Sequence, residues 1–226
     1  MAYKITPPPH KIKAFTLSEV LITLVIIGVI TAITVPLIIQ NTQKQEIVTK
    51  VKKAYSVLQQ STIRIAIENG IPVGDYQFMT NDDFFDEFAK SVNTIKLCTR
   101  SAKGCIGYLD AKTLNGSGWE ISYVNRRALI TGDGIVYSWE TENPNICGGK
   151  GLSNYDLQNC IGRFYVDVNG GTPPNKFGHD VFFFMVVQGK GIIPAGAGNN
   201  SADCNKKDVG ITCAAKVLKE NAINYI

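Results

Sequence analysis

The pattern of hydrophobic and polar positions changes character once the chain has passed residue 39. From Val20 to Ile39, twenty residues follow one another without a charge. A helix of that length spans ~30 Å, the thickness of the hydrocarbon core of a bilayer. Fourteen of the twenty are β-branched, which favours strand in water, but a lone strand cannot satisfy its backbone groups in lipid. The pattern therefore predicts a membrane-spanning helix.

Beyond residue 39 the sequence becomes polar but keeps a helical period. Apolar residues recur every three or four positions, with lysines between them, which is typical of an amphipathic helix. The apolar positions are Ile47, Val51, Tyr55 and Leu58. We predict one helix from about Thr16 to Ile67, ending at Asn69-Gly70.

Two residues interrupt the apolar run and are predicted as helix-breaking positions, Gly28 and Pro36. Proline has no N–H to donate to the carbonyl four residues earlier, here that of Ala32. We therefore expect a kink or a locally loosened helix at Pro36.

The remainder of the chain predicts one globular head of mixed secondary structure. A short helix is expected from Thr80 to about Val92, with Thr80 as its cap. Alternating or apolar runs predict strands, and residues 132–134 form a three-residue hairpin connection between two of them. The predicted strands are Trp119–Val124, Ala128–Thr131, Ile135–Trp139, Arg163–Val168 and Val181–Gln188, followed by a loop at Pro194–Asn205 and a short helix or irregular tail at Cys213–Asn221.

Charge separates a basic leader from a nearly neutral remainder. Residues 1–14 contain three lysines and Pro7-Pro8-Pro9, a composition that neither packs a core nor enters lipid. Positive charge beside a span favours the cytoplasmic side, which places the head across the membrane. Without those lysines, 20 of the 23 basic residues remain against 19 acidic ones. This balance argues against a nucleic-acid partner.

All six cysteines follow the apolar run, and their even number suits an oxidising compartment. Their wide spacing disfavours a zinc site. We expect three disulfides, and the sequence does not fix how the six cysteines pair. The simplest pairing joins neighbours in sequence: Cys98 with Cys105, Cys147 with Cys160, and Cys204 with Cys213.

Glu19 is the residue most in need of an explanation. A carboxylate at the edge of hydrocarbon is costly unless it has a partner or a proton. Cleavage between Ala14 and Phe15 would create an α-amino group one helical turn before it. Helices packed with an axial stagger would then pair the amine of one subunit with Glu19 of the next. The alternative is that Glu19 simply reaches the interfacial water.

The residues Lys13-Ala14-Phe15-Thr16-Leu17-Ser18-Glu19-Val20-Leu21 resemble the prepilin cleavage and methylation motif of type IV pilins and type II secretion pseudopilins. Gly28 and Pro36 also fall where such pilins commonly have Gly and Pro. The family usually has Gly before the cut, whereas this chain has Ala14, which is still small enough for a tight site.

This resemblance implies an α+β, pilin-like fold with a long N-terminal helix packed on an antiparallel sheet. It further implies that a prepilin peptidase cuts after Ala14 and N-methylates Phe15, and that Glu19 serves assembly. The expected partners are that peptidase, other pilin or pseudopilin subunits, an inner-membrane assembly platform and membrane lipid. The expected regions are a leader (1–14), an assembly helix (15–39), its amphipathic continuation (40–67) and the head (68–226).

The resemblance also implies a location. The precursor is expected in a bacterial inner membrane, crossing it once with a cytoplasmic N-terminus and a periplasmic head, and the processed chain in a pilus or pseudopilus.

The segment Val166–Phe182 is similar to one that recurs in heads of bacterial pilin-like proteins. It offers hard oxygen donors suited to calcium, namely Asp167, Asn169, Asn175 and Asp180. An EF-hand is excluded, because Thr172 and Gly178 stand where Gly and Glu are required. The alternative is that these residues make turns. No cofactor is required by the sequence, and calcium is the one candidate.

Enzyme signatures are thin. His179 is the one histidine left after the leader is removed, and a lone loop histidine is more often solvated than catalytic. Arg126-Arg127 is predicted as a solvated turn. Two other classes stay open: a secreted protein whose apolar run is a signal peptide, and a single-pass anchor carrying a binding or enzymatic head. The run is long for a signal peptide and has no clear cleavage site after it.

Overall fold

The computed structural model describes residues 15–76, 79, 81–98, 104–105, 111–117, 126–140, 153, 156, 158–198 and 204–226. The chain divides into two compact units, Met1–Gln43 and Lys44–Ile226. The predicted strand Trp119–Val124 and the predicted cap Thr80 lie outside the described residues.

One helix, α1, extends from Leu17 to Glu68 and so contributes to both units. Its bounds agree with the predicted helix within one residue at each end. The helix continues through Gly28 and Pro36, so neither residue ends it, and the kink or loosening expected at Pro36 stays a prediction. Proline removes one hydrogen bond, while the bonds of the turns on either side remain. Threonine hydroxyls nearby also donate to carbonyls of the preceding turn, as Thr34 does to Ile30 at 3.0 Å.

In the second unit, α1 buries one face against the sheet. Val51, Ala54, Leu58 and Ile65 are fully buried, at helical spacings of three, four and seven. Two of the predicted apolar positions, Ile47 and Tyr55, are only partly buried, because Ala54, Ser61 and Thr62 occupy the centre of the packed face. The packed face therefore combines large apolar side chains with small ones.

Within the described ranges, six strands form one antiparallel sheet in which sequence order and spatial order are the same. The hairpin predicted at residues 132–134 joins the second and third strands, with Ile130 opposite Val136. The strands are β1 (Thr94–Cys98), β2 (Arg127–Thr131), β3 (Val136–Glu140), β4 (Cys160–Asp167), β5 (Val181–Val187) and β6 (Gly191–Pro194).

The strand β5 is covered by other residues on both faces of the sheet. All seven of its residues are buried. Phe182, Phe184 and Val186 belong to the core cluster that contains α1, whereas Phe183, Met185 and Val187 belong to a second cluster. Successive side chains of a strand point to opposite faces, so the continuous apolar sequence of β5 is that of a strand covered on both sides.

Two short helices complete the described part of the head. α2 (Asn81–Ser91) packs its phenylalanines into the aromatic core, where the ring centroids of Phe88 and Phe164 are 4.8 Å apart. α3 (Cys213–Glu220) ends at Asn221, whose positive φ of 54° is the left-handed conformation that closes many helices.

Replacing Leu58 by alanine is expected to destabilise the head by about 2–5 kcal/mol, because it removes a fully buried side chain from the helix–sheet contact. Lys52→Ala, an exposed position on the same helix, is the matched control and should change stability by less than about 0.5 kcal/mol. Chemical denaturation followed by tryptophan fluorescence measures both. Equal effects of the two substitutions would contradict the packing described here.

Candidate assembly site

The start of α1 is closed by a reciprocal pair of hydrogen bonds between Thr16 and Glu19. The Thr16 N–H donates to Glu19 Oε2 at 2.8 Å, and the Thr16 hydroxyl donates to the same oxygen at 2.9 Å. In return the Glu19 N–H donates to Thr16 Oγ1 at 3.2 Å. This is a capping box, in which side chains satisfy N–H groups that have no partner within the helix.

The capping box leaves half of the carboxylate available. Both bonds from Thr16 reach Oε2, and within the described part of the chain Oε1 accepts no hydrogen bond. Glu19 also lies in the first turn of a helix, where the macrodipole favours a negative charge. The site can therefore hold an ionised carboxylate with one oxygen satisfied locally and the other open to a further donor.

The apolar run presents its side chains outward. Every residue from Phe15 to Gln43 is exposed, and Phe15 itself retains 85 % of its accessible surface. By length and composition, α1 is the one helix among the described residues that could cross a membrane. Apolar surface of this extent needs lipid or other protein around it.

The predicted cleavage site falls at the border of what the structure describes. Ala14 lies outside the described residues, and Phe15 precedes the helix. The structure therefore describes the Glu19 carboxylate but not the α-amine that cleavage would create.

Two of the three sequence-local cysteine pairs are joined in the head. Cys98 is bonded to Cys105 and Cys204 to Cys213, with Cα atoms 6.0 and 5.0 Å apart. The first bridge ties the edge strand β1 to the segment after it, and the second ties the start of α3 to the preceding loop. The remaining predicted pair includes Cys147, which lies outside the described residues.

The four residues predicted to bind calcium lie together in the connection between β4 and β5. Asp167 accepts main-chain N–H bonds from Asn169 at 3.0 Å, Gly170 at 3.1 Å and Gly171 at 2.7 Å. Asp180, which is fully buried, accepts the N–H of Asn175 at 2.8 Å and that of Lys176. Both carboxylates thus hold the backbone of the connection in its turns.

Asp180 is the most strongly desolvated acid of this group. Burial raises its pKa, and the hydrogen bonds from Lys176, Asn175 and Asn169 only partly oppose that effect. Two amide oxygens beside it, Asn169 Oδ1 and Asn175 Oδ1, are buried without a hydrogen-bond partner in the described structure. Among the described residues, no three His, Cys, Asp or Glu side chains lie close enough together to hold a metal ion. A cation bound here would therefore depend on the amide oxygens of Asn169 and Asn175.

One prediction about charged side chains of the head is wrong. Arg126 and Arg127 are not in a solvated turn. Arg126 is 8 % exposed and pairs with Glu140 at 2.8 Å, and Arg127 pairs with Asp86 of α2. Glu140 also accepts from Arg163 and from the Tyr165 hydroxyl. These partners come from different strands and from α2, so local sequence gives no sign of them.

His179, predicted as a solvated loop residue, is half-buried beside Asp180, with 4.0 Å between Nδ1 and Oδ2. Burial lowers its pKa, and the charges of Lys176 and Lys44 lower it further.

The sequence analysis missed the capping box, although its signal is present. Thr16 and Glu19 have the spacing of three residues that is typical of a capping box, directly before an apolar run. From the sequence, Glu19 is expected either to pair with an amine of another subunit or to reach the interfacial water, whereas the structure gives it a partner within the same helix.

Comparison with known proteins bears on the N-terminal part of the chain. A family model described as the prokaryotic N-terminal methylation motif matches residues 9–35. No curated protein and no solved structure matches the chain. The matched segment contains Ala14, Phe15, Thr16 and Glu19 and ends one residue before Pro36.

The long apolar helix, the antiparallel sheet that follows it and the matched motif agree with one another. The motif points to a structural subunit rather than an enzyme, and the apolar helix fits membrane anchoring. Residues 9–35 of this chain carry the prokaryotic N-terminal methylation motif, the signature of type IV pilins and pseudopilins.

Proposed function

We propose that this protein is a pilin-like structural subunit, processed by a prepilin peptidase and assembled through α1 into a type IV pilus or a type II secretion pseudopilus. The observation that carries the proposal is the methylation motif at residues 9–35, placed at the start of a continuous apolar helix. The helix bears one acid, Glu19, in its first turn.

Before assembly, the subunit is anchored by the apolar half of α1. The leader lies on the cytoplasmic side of the inner membrane and the head in the periplasm, an oxidising compartment suited to its disulfides. The capping box supports this stage, because it gives the Glu19 carboxylate a partner at the boundary of the hydrocarbon. A carboxylate satisfied in this way is less costly at that depth than a bare one.

Processing then adds the second partner. Cleavage after Ala14 makes Phe15 the first residue and gives it an α-amino group, which methylation leaves able to carry a charge. In the assembled filament this amine lies against Glu19 of a neighbouring subunit and donates to the oxygen that Thr16 leaves open. Cleavage thereby converts an anchored precursor into a subunit that can join the filament.

Helix packing without the charge pair would be weakly specific. Lipid chains are as apolar as the side chains of α1, so leaving lipid for a filament core yields little hydrophobic gain. A polar pair in a medium of low dielectric constant is stronger than in water and sets the axial stagger of neighbouring helices. Rotation and rise that do not close into a ring give an open helical assembly.

The runner-up function is a membrane-anchored or secreted binding module without a filament role. The β4–β5 connection favours calcium as its ligand, because Asn169 Oδ1 and Asn175 Oδ1 are buried without partners next to the desolvated Asp180. A cation coordinated there would satisfy both amides and offset the burial of the carboxylate. This proposal concerns the head and is compatible with assembly through α1.

Cleavage is tested by determining the N-terminus of the chain after co-expression with a prepilin peptidase. The mature protein is expected to begin at methylated Phe15. Ala14→Leu should leave the precursor uncut because a larger side chain does not fit a site built for a small residue, whereas Ala14→Gly should be cut at least as well. A mature chain that begins beyond Ile39, or that retains Met1 in the presence of the active peptidase, would rule the processing out.

Glu19→Ala is expected to leave membrane insertion and cleavage unchanged and to reduce filament incorporation to background, because the amine of the neighbouring subunit loses its partner. Glu46→Ala, an exposed acid further along α1, is the control and should incorporate normally. Sheared filaments and membrane fractions probed separately give the two readouts. Normal incorporation of the Glu19 variant would contradict the pairing.

Calcium binding predicts a melting temperature that depends on the ion. Adding calcium to the chelator-treated protein should raise Tm by about 2–4 °C, the shift that ~1 kcal/mol gives in a domain of this size. Asn169→Ala should remove the calcium-dependent increment. Identical melting curves with calcium and with chelator would show that the amide oxygens hold no cation.

A further inference from the structure

Three loops of the head are joined into one surface at the end of the sheet where β5 begins. The segment 111–117 connects to the segment 175–180 through main-chain bonds, since the Lys112 N–H donates to Asn175 O and the Phe177 N–H to Lys112 O, both at 2.9 Å. The segment 111–117 also binds the segment 204–210, where the Leu114 N–H donates to Val209 O at 2.9 Å. These bonds fix the relative positions of the three loops.

This surface carries a concentration of positive charge, and we call its four lysines the lysine face: Lys112, Lys176, Lys206 and Lys207. Three of the four are exposed, and Lys176 is half-buried. Lys112 and Lys176 are direct partners in a parallel bridge, so two ammonium groups project from neighbouring positions. Like charges side by side are unfavourable unless an anion lies near them.

The described acids of the same loops are less exposed than Lys112, Lys206 and Lys207. Asp167 and Asp180 are buried and accept main-chain N–H bonds, and Asp208 accepts a bond from the Asn205 side chain. Val209, an exposed apolar residue, lies directly after Asp208. The surface thus combines exposed lysines with an exposed valine, a combination suited to the interface of a membrane.

The lysine face lies at the same end of the head as Lys44, the first residue of the second unit. The Lys44 ammonium donates to the Ile226 carbonyl at 3.4 Å, and the adjacent Tyr225 hydroxyl donates to Gly178 O in the segment 175–180. The pKa of His179 is lowered by burial and then by both Lys176 and Lys44, which agrees with their closeness.

Chain connectivity keeps this end of the head near the membrane. Lys44 follows Ile39, the last residue of the apolar run, by five residues. Even fully extended, five residues span at most about 18 Å. The headgroup layer beyond the hydrocarbon is itself about 5–7 Å thick on each side. Lys44 therefore lies within about 18 Å of the end of the apolar run.

We propose that the lysine face docks on the anionic phospholipid headgroups of the membrane that anchors α1. The contact holds the head against the bilayer before assembly and is released when the subunit leaves the membrane. Each lysine near an anionic surface contributes a modest, salt-sensitive attraction, and four act together. The proposal rests on the membrane anchoring proposed above.

The test uses the full chain reconstituted into vesicles of phosphatidylcholine alone or of phosphatidylcholine with phosphatidylglycerol. Flotation first establishes insertion, and the acylation rate of each lysine is then measured by mass spectrometry. In the anionic vesicles Lys112, Lys206 and Lys207 should react about fivefold more slowly, and high salt should abolish the difference. Lys190 is the internal control, because it follows β5 at the opposite end of that strand.

A triple variant checks that the lysines act together. In the anionic vesicles Lys176 of the unmodified chain should also react more slowly. Lys112→Gln combined with Lys206→Gln and Lys207→Gln alters exposed positions only and should remove that protection. Lys190→Gln should leave that protection intact.

Each other outcome identifies a different failure. Equal labelling in both kinds of vesicle, with normal flotation, overturns the docking and leaves the anchoring standing. A chain that floats with neither kind of vesicle overturns the anchoring and the docking with it. Protection by inorganic phosphate in phosphatidylcholine vesicles assigns the lysine face to free phosphate instead of lipid. Protection that rises with the number of chains per vesicle assigns it to a second copy of the chain.

Discussion

A carboxylate at the entrance of a long apolar helix is the constraint on which the rest of this structure depends. Taken by itself, the uncharged segment from Val20 to Ile39 is compatible with any membrane anchor. Glu19 restricts the environments in which the helix is stable, because its oxygens need donors wherever water is scarce. Thr16 supplies two donors to one of them. One carboxylate oxygen is therefore satisfied within the helix, and the other is open to a donor from outside it.

The two halves of the same helix have different surroundings. Up to Gln43 every described residue is exposed, whereas from Val48 onward one face is packed on the sheet. Apolar residues on all sides suit lipid or the interior of a helix bundle, and a single apolar face suits a soluble head. Apart from the one bond that Pro36 cannot donate, the backbone of both halves is hydrogen-bonded within the helix, which is why one helix can carry both patterns.

Sequence reasoning was most successful where length and period decide the structure. The long helix was predicted within one residue at each end, and β2, β3 and β5 within one residue at every boundary. It failed for β1 and β6, which were not predicted. β1 is an edge strand whose central residues are exposed, and β6 has four residues ending in proline. Such strands exist because a neighbour offers hydrogen bonds, and that information is not local.

The candidate site divides in the same way. Thr16 and Glu19 are three residues apart, so their capping box was predictable from sequence even though the analysis overlooked it. Glu140, by contrast, joins Arg126, Arg163 and Tyr165, residues that meet only when β3 and β4 pair.

The family match is likewise confined to a segment whose residues act at fixed spacing, residues 9–35. Cleavage, methylation and helix packing each need particular residues at fixed spacing, which a short sequence motif can describe. A sheet that is covered on both faces needs only apolar residues along its strands, a condition that many unrelated sequences meet. The head, which lies outside the matched segment, is accordingly where this chain can differ from others that share its motif.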